Sequence, residues 1–249
     1  MNLFVDVGNS RIKWATSETG EIGHSTAQDY RLDNLSDLLM ERWKVVPSPE
    51  RVFVSNVAGT APADILVKVC NSLWSFAPDF ISVEKETCGV INGYRDIKQL
   101  GVDRWLSIIA AWSEYQTNVC VVGCGTAVTI DLVLANGQHL GGYIIPGVHM
   151  MQWMLTQYTQ GIDIELYDSD GIDPGQSTET CVSHGASLAV VTLIDRVVSD
   201  FRRQHPEKVE CVITGGGASN LLSLLAIDFN HESDLVLQGI SLISKGIKT

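Results

Sequence analysis

Asp6, Asn9, Ser10, Arg11 and Lys13 crowd around one glycine in Leu3-Phe4-Val5-Asp6-Val7-Gly8-Asn9-Ser10-Arg11-Ile12-Lys13-Trp14. A carboxylate at a strand end beside a glycine turn suits a hydrated Mg²⁺. Asn9, Ser10 and the N–H groups of such a turn suit a phosphate. An ordinary hairpin turn rich in Asn and Ser reads the same way. A second segment repeats the device: Val121-Val122-Gly123-Cys124-Gly125-Thr126-Ala127-Val128-Thr129-Ile130-Asp131-Leu132. Gly8 falls on Gly125, an offset of 125 − 8 = 117, close to half of the 249 residues. The copy offers Gly125, Thr126, Ala127, Thr129 and Asp131, but Gly123 stands where the first has Asp6. Two phosphate-gripping turns suggest a nucleoside triphosphate held between two similar halves.

Two further clusters bear chemistry. Gly101-Val102-Asp103-Arg104 opens an apolar helix. Asp103 is by spacing a helix cap. It is also a candidate base for a hydroxyl attacking a phosphoryl group, with Arg104 as an anion clamp. Thr214-Gly215-Gly216-Gly217-Ala218 follows a strand, and its glycines would let a nucleotide reach the backbone. It is neither a Walker A loop nor GxGxxG.

The elements that must hold these residues form an α/β pattern. Apolar runs on either side of Gly8 predict a hairpin, 3–7 and 11–16, with a turn at 18–20 and a third strand near 21–27. Helices are expected at 33–43 and 62–75, with strands at 51–54 and 80–83. A helix from Val102 to Tyr115 ends the first half. The pattern then restarts: a hairpin over 119–134, a strand at 141–147, and a helix at 148–158. A loop at 160–177, a long helix from Thr178 to Arg203, a strand at 211–213 and a helix at 219–226 follow. Leu235-Val236-Leu237 reads as a last strand before a terminal helix. The expected domains are 1–117 and 118–249, each with a mixed five-stranded sheet.

With 45% hydrophobic and 18% charged residues the chain can bury sizeable cores. The net charge of −12 argues against nucleic acid and anionic membranes as partners. No 18-residue apolar run implies a membrane helix. No basic leader precedes the first strand, so a cytoplasmic place is expected. Cys70, Cys88, Cys120, Cys124, Cys181 and Cys211 lack zinc-ligand spacing and read mainly as small buried hydrophobes. The six histidines show no ligand spacing. Met150, Met151, Trp153 and Met154 suggest core or subunit interface rather than a cofactor pocket.

Taken together, these segments resemble the type III pantothenate kinases, members of the superfamily of acetate and sugar kinases, Hsp70 chaperones and actin. Asp6-Val7-Gly8-Asn9-Ser10, Gly101-Val102-Asp103-Arg104-Trp105, Gly125-Thr126-Ala127-Val128-Thr129-Ile130-Asp131, Gly141-Gly142 with Pro146-Gly147, Ser177-Thr178 and Thr214-Gly215-Gly216 fall in the family's order. The resemblance implies two ribonuclease-H-like (actin-like ATPase) domains with an interdomain ATP cleft. It implies ATP-dependent phosphorylation of pantothenate, the first step towards coenzyme A. Asp103 is then the base, and Tyr94, Gly101, Val102, Asp103, Arg104 and Thr178 line the pantothenate pocket. ATP falls to Asp6, Val7, Gly8, Asn9, Ser10, Arg11, Lys13, Gly125, Thr126, Ala127, Thr129, Gly215 and Gly216. The family works as homodimers and needs Mg²⁺, here through water on Asp6, and a monovalent cation, K⁺ or NH₄⁺. Its usual Asp at position 123 is Gly in this chain, which puts the monovalent site in doubt. A kinase of another small acid or sugar, or a non-catalytic ATP-binding regulator, are the competing readings.

Overall fold

The computed structural model describes residues 1–18, 20–166 and 171–246. Thr19, in the expected turn at 18–20, and residues 167–170, in the expected loop at 160–177, lie outside them. The chain runs β1 (Asn2–Val7), β2 (Arg11–Glu18), β3 (Glu21–Ile22), β4 (Thr26–Asp29), α1 (Leu35–Trp43), β5 (Val52–Asn56), α2 (Thr60–Trp74) and β6 (Asp79–Phe80). A small hairpin, β7 (Glu86–Thr87) and β8 (Val90–Ile91), precedes α3 (Val102–Tyr115). There follow β9 (Asn118–Cys124), β10 (Ala127–Val133), β11 (His139–Pro146), α4 (Val148–Tyr158) and α5 (Thr178–Gln204). The chain continues with β12 (Val209–Thr214), α6 (Ala218–Leu222), β13 (Asn230–His231) and α7 (Leu235–Gly246).

Two compact units result: Met1–Ser113 with the chain from Asp234, and Glu114–Ser233. The expected 118–249 half therefore loses its last helix to the first unit. Leu235-Val236-Leu237 opens that helix instead of forming a strand. The strand is two residues long, Asn230–His231, parallel to β12. The cause is the apolar spacing: Val236, Ile240 and Ile243 recur at helical intervals, and with Leu237 they pack on Phe4, Phe53 and Leu106. Three apolar residues in a row do not reveal that period.

The sheets repeat one topology. Unit 1 orders its strands β3-β2-β1-β5-β6, with β4 also on β2, and unit 2 orders them β11-β10-β9-β12-β13. In each, a hairpin is antiparallel and the strand after the crossover is parallel to its first strand. The sheet of unit 2 is five-stranded as expected, whereas unit 1 has six strands because its expected third strand is broken. β3 pairs the end of β2 and β4 pairs its beginning.

Strand alternation decides what each face carries. Leu3, Val5 and Val7 point into a core with Leu35, Leu39 and Trp43 of α1 and Leu66, Val69 and Cys70 of α2. Phe4 points the other way, onto Val102 and Leu106 of α3 and Leu237 and Ile240 of α7. Asp6, two residues on, shares that second face. In unit 2, Cys120, Val122 and Cys124 pack with Val128, Ile130 and a stripe of α5, Val190, Val191, Ile194, Val197, Val198 and Phe201. By length and composition α5 is apolar enough to cross a membrane, contrary to the reading of the sequence; half of that window is buried, and its apolar stripe forms this core. All six cysteines are unpaired; Cys70, Cys120, Cys124 and Cys211 are buried, and Cys88 and Cys181 are exposed.

Candidate active site

The site residues of unit 1 follow from register. Asp6 lies opposite Lys13 on β2 and opposite Ser55 on β5. Ser55 Oγ donates to Asp6 Oδ1 at 2.9 Å. Lys13 Nζ is 2.8 Å from Asp234 Oδ1, at the entry to α7, so one ammonium serves two carboxylates. Burial pushes the Asp6 carboxyl up, and the charge of Asp103 adds to the rise; the Ser55 hydroxyl and Lys13 oppose it, leaving Asp6 at about 7. Asp6 and Asp103 are thus near enough to repel, though far apart in sequence. The even-numbered face of β1 and the first turn of α3 bring them together.

Asp103 has the local role that its spacing suggests: its Oδ1 accepts the Arg104 N–H at 2.8 Å, at the start of α3. Its carboxylate is only half-buried, and its charge is felt at Asp6. Arg104 is 7% exposed. Its Nη1 donates to the Tyr94 hydroxyl at 2.9 Å, with the guanidinium 5.7 Å from that ring's centre. Gly101 is needed where it is: a Cβ there would lie 2.6 Å from Asp103 Oδ1. Tyr94, Gly101, Asp103 and Arg104 are therefore assembled in one place.

Two of the expected site residues have buried side chains. Val7 is fully buried against α1 and α2, and its carbonyl accepts from Val57 N–H, so its side chain is out of reach of a ligand. Val102 packs on Phe4 and Phe53. Both are apolar members of motifs whose neighbouring carboxylates, Asp6 and Asp103, are more exposed. In the first turn, Gly8 N–H donates to Arg11 O, and Asn9 and Ser10 are exposed. Arg11 Nε meets Asp29 Oδ1 at 2.7 Å on the surface, a contact that the sequence did not suggest.

In unit 2 the second turn is gripped by two glycine loops. Gly147 N–H donates to Thr126 O at 2.9 Å and Gly217 N–H to Cys124 O at 3.0 Å. A Cβ on Gly147 would lie 2.5 Å from Gly125 O, and one on Gly215, at φ +97°, would overlap Cys124 O. Backbone meets backbone at these points, which only glycine permits. Gly125, Thr126, Gly215 and Gly216 remain exposed on the resulting shelf. Thr129 lies opposite Gly123, and a Cβ at 123 would be 2.8 Å from Thr129 Oγ1. Asp131 is buried against His139, Oδ1 to Nε2 at 3.0 Å, and is no open ligand. Thr178 is exposed at the start of α5, which Ser177 and Thr180 cap reciprocally. Among the described residues no group of three or more His, Cys, Asp or Glu is placed to hold a metal ion.

Ser55, Asn92 and Asp234 were missed in the sequence. Only Asn92 carried a signal, the Asn-x-Tyr spacing of a turn in which the Asn side chain accepts from the backbone two residues on. Its Oδ1 does so, to Tyr94 N–H at 2.9 Å.

The type III pantothenate kinase family model matches residues 2–200. The chain is 36% identical to the type III pantothenate kinase of Nitrosococcus oceani, over 98% of this chain and 94% of that one. It is 35% identical to that of Acinetobacter baumannii (96% and 95%) and 30% to that of Alcanivorax borkumensis (98% of each). Among solved structures, a Baf-family protein of Campylobacter jejuni matches with a TM-score of 0.60 at 20% identity, covering 98% of each chain. The ethanolamine utilization protein EutJ of Carboxydothermus hydrogenoformans matches with 0.54 at 12% identity, over 96% of this chain and 88% of that one. These two likenesses concern the fold, while the family model spans the motifs from Asp6 to Thr178 and the relatives nearly the whole chain: the chain belongs to the type III pantothenate kinase family.

Proposed function

We propose how this chain's residues divide the work of ATP-dependent pantothenate phosphorylation, the reaction of its family and a step of coenzyme A biosynthesis. Asp103 is the base. It accepts the proton of the pantothenate hydroxyl as that oxygen bonds to the γ-phosphorus, while the bond from γ-phosphorus to the bridging oxygen breaks and ADP leaves. The observation that carries this reading is the pairing, on the first turn of α3, of a half-buried Asp103 with a buried Arg104 whose guanidinium is held by Tyr94 from the preceding loop. A guanidinium held there grips the substrate carboxylate with two hydrogen bonds and orients its far end. Gly101 leaves room for Asp103, and Thr178 supplies a hydroxyl to the acceptor.

The two glycine turns take the phosphates: Gly8, Asn9, Ser10 and Lys13 in unit 1, and Gly125, Thr126, Ala127, Thr129, Gly215 and Gly216 in unit 2. Asp6 fits a hydrated divalent cation. It is a carboxylate with raised proton affinity beside a second carboxylate, so a cation would relieve a repulsion already present. When bound, Mg²⁺ would offset charge on the phosphates. Position 123 gives no carboxylate to a monovalent cation, so K⁺ or NH₄⁺ acts through backbone and hydroxyl groups. The enzyme works in the cytoplasm and as a homodimer; the apolar side chains left exposed on β11 and α4 support the dimer.

The test is ADP release by the purified chain with and without pantothenate, at several K⁺ concentrations. Release that requires pantothenate and is not elicited by sugars or other hydroxy acids is the expected result. ATP binding without turnover on any acceptor would favour the regulator.

A further inference from the structure

Asn92 lies between the β7–β8 hairpin and Tyr94. Its backbone N–H donates to Lys85 O at 2.9 Å, which closes the base of the hairpin, and its side chain is 7% exposed. Oδ1 accepts Tyr94 N–H, which settles the amide's orientation, because a flipped amide would set donor against donor. Nδ2 then has no hydrogen-bond partner among the described residues. A buried donor left so is a cost to the fold. A serine would serve the turn without it. What Asn offers in return is reach, a rigid planar acceptor fixing Tyr94, whose hydroxyl in turn receives Arg104 Nη1 at 2.9 Å.

We propose that Asn92 is a positioning residue for the acceptor substrate: it sets Tyr94, and Tyr94 sets the Arg104 guanidinium that grips the substrate carboxylate. The proposal rests on the pantothenate reading above. The relay runs from the hairpin through Asn92 and Tyr94 to Arg104, and each link is one hydrogen bond. A buried guanidinium has many donors and a long stem, so its direction depends on such a strut. A misplacement of about 1 Å at a reacting group can cost on the order of a hundredfold in rate.

The experiment is steady-state kinetics of Asn92→Ala and Asn92→Asp with thermal melts of both. Asn92→Ala removes the acceptor for Tyr94 N–H; Asn92→Asp keeps it. Loss of the strut raises KM for pantothenate by about tenfold or more in Asn92→Ala, with KM for ATP within about twofold. Asn92→Asp recovers most of the loss. In Asn92→Ala/Tyr94→Ala the Asn92 change has no further effect, since both act through one strut. Should Asn92→Ala not fold, Asn92→Ser, whose shorter hydroxyl still accepts but less rigidly, gives an intermediate KM for pantothenate alone. Equal increases in both KM values, additive effects in the double variant, or a folded Asn92→Ala with unchanged KM for pantothenate would each overturn the proposal. Wild-type protein that turns over a different acceptor and ignores pantothenate would overturn the functional reading, and this one with it.

Discussion

Asp6 and Asp103 feel one another's charge, yet their surroundings differ. Asp103 sits at the start of a helix with its carboxylate half in solvent, and Asp6 sits behind it between Lys13 and Ser55. Asp103→Asn should lower turnover by on the order of 10²–10⁴-fold while ATP still binds, since a positioned base typically contributes that much. A mutant that keeps more than about a tenth of wild-type turnover would remove Asp103 from the base role. For Asp6 the sign is fixed by linkage. Its folded-state value of about 7 exceeds the unfolded 3.8, so the native state binds more protons in that window, and stability falls as pH rises through it. The melting temperature of the protein without nucleotide or divalent cation should therefore drop between about pH 5 and pH 8, and the drop should flatten in Asp6→Asn. An identical slope in both would place the titration elsewhere.

At the scale of elements, glycines mark where backbones touch. Gly239 of α7 lies against the Leu106 carbonyl of α3, where a Cβ would overlap it. Helix propensity alone would favour Ala by about 1 kcal/mol. The overlap reverses the sign, so Gly239→Ala should destabilise by about 1–3 kcal/mol, as overpacking does; a raised melting temperature would contradict the close crossing. Gly123 is a different case. Its φ is not in the left-handed region, so a side chain meets no backbone strain there, only Thr129 Oγ1. Gly123→Asp should fold with a rotated Thr129 and respond more strongly to K⁺ than the wild type; a K⁺ titration unchanged by the substitution would make the missing carboxylate irrelevant. The hairpins around Gly8 and Gly125, and the helices 102–115 and 148–158, were legible because apolar period and turn chemistry agree there. The broken third strand was not, because a strand of two residues leaves no period to read. Nor was the meeting of Asp6 with Asp103, which comes from sheet face and helix packing between segments distant in sequence. The burial of Val7 and Val102 was not legible either, because a motif does not separate its buried members from its exposed ones.

On the whole molecule, apolar exposure is concentrated in unit 2. Ile144 (60%) and Tyr143 lie on the edge strand β11, and Trp153, Met154 and Tyr158 (80%) on α4, a helix whose one fully buried side chain is Gln152. Patches of this kind mark interfaces. Light scattering at micromolar concentration should give a dimer, and Tyr158→Glu with Ile144→Glu should shift it towards monomer; a fully active wild-type monomer would defeat this. The other large-scale feature is the order in which the units are completed. Unit 1 is interrupted by the whole of unit 2 and regains α7 only after it. On a ribosome emitting about 5–20 residues per second, the face of Phe4, Phe53 and Leu106 must wait uncovered while Glu114–Ser233 is synthesised. The inserted unit can fold first, from a continuous stretch of chain. The half that holds Asp6, Asp103 and Arg104 closes last, so nascent chains arrested before Asp234 should be the ones that chaperones hold.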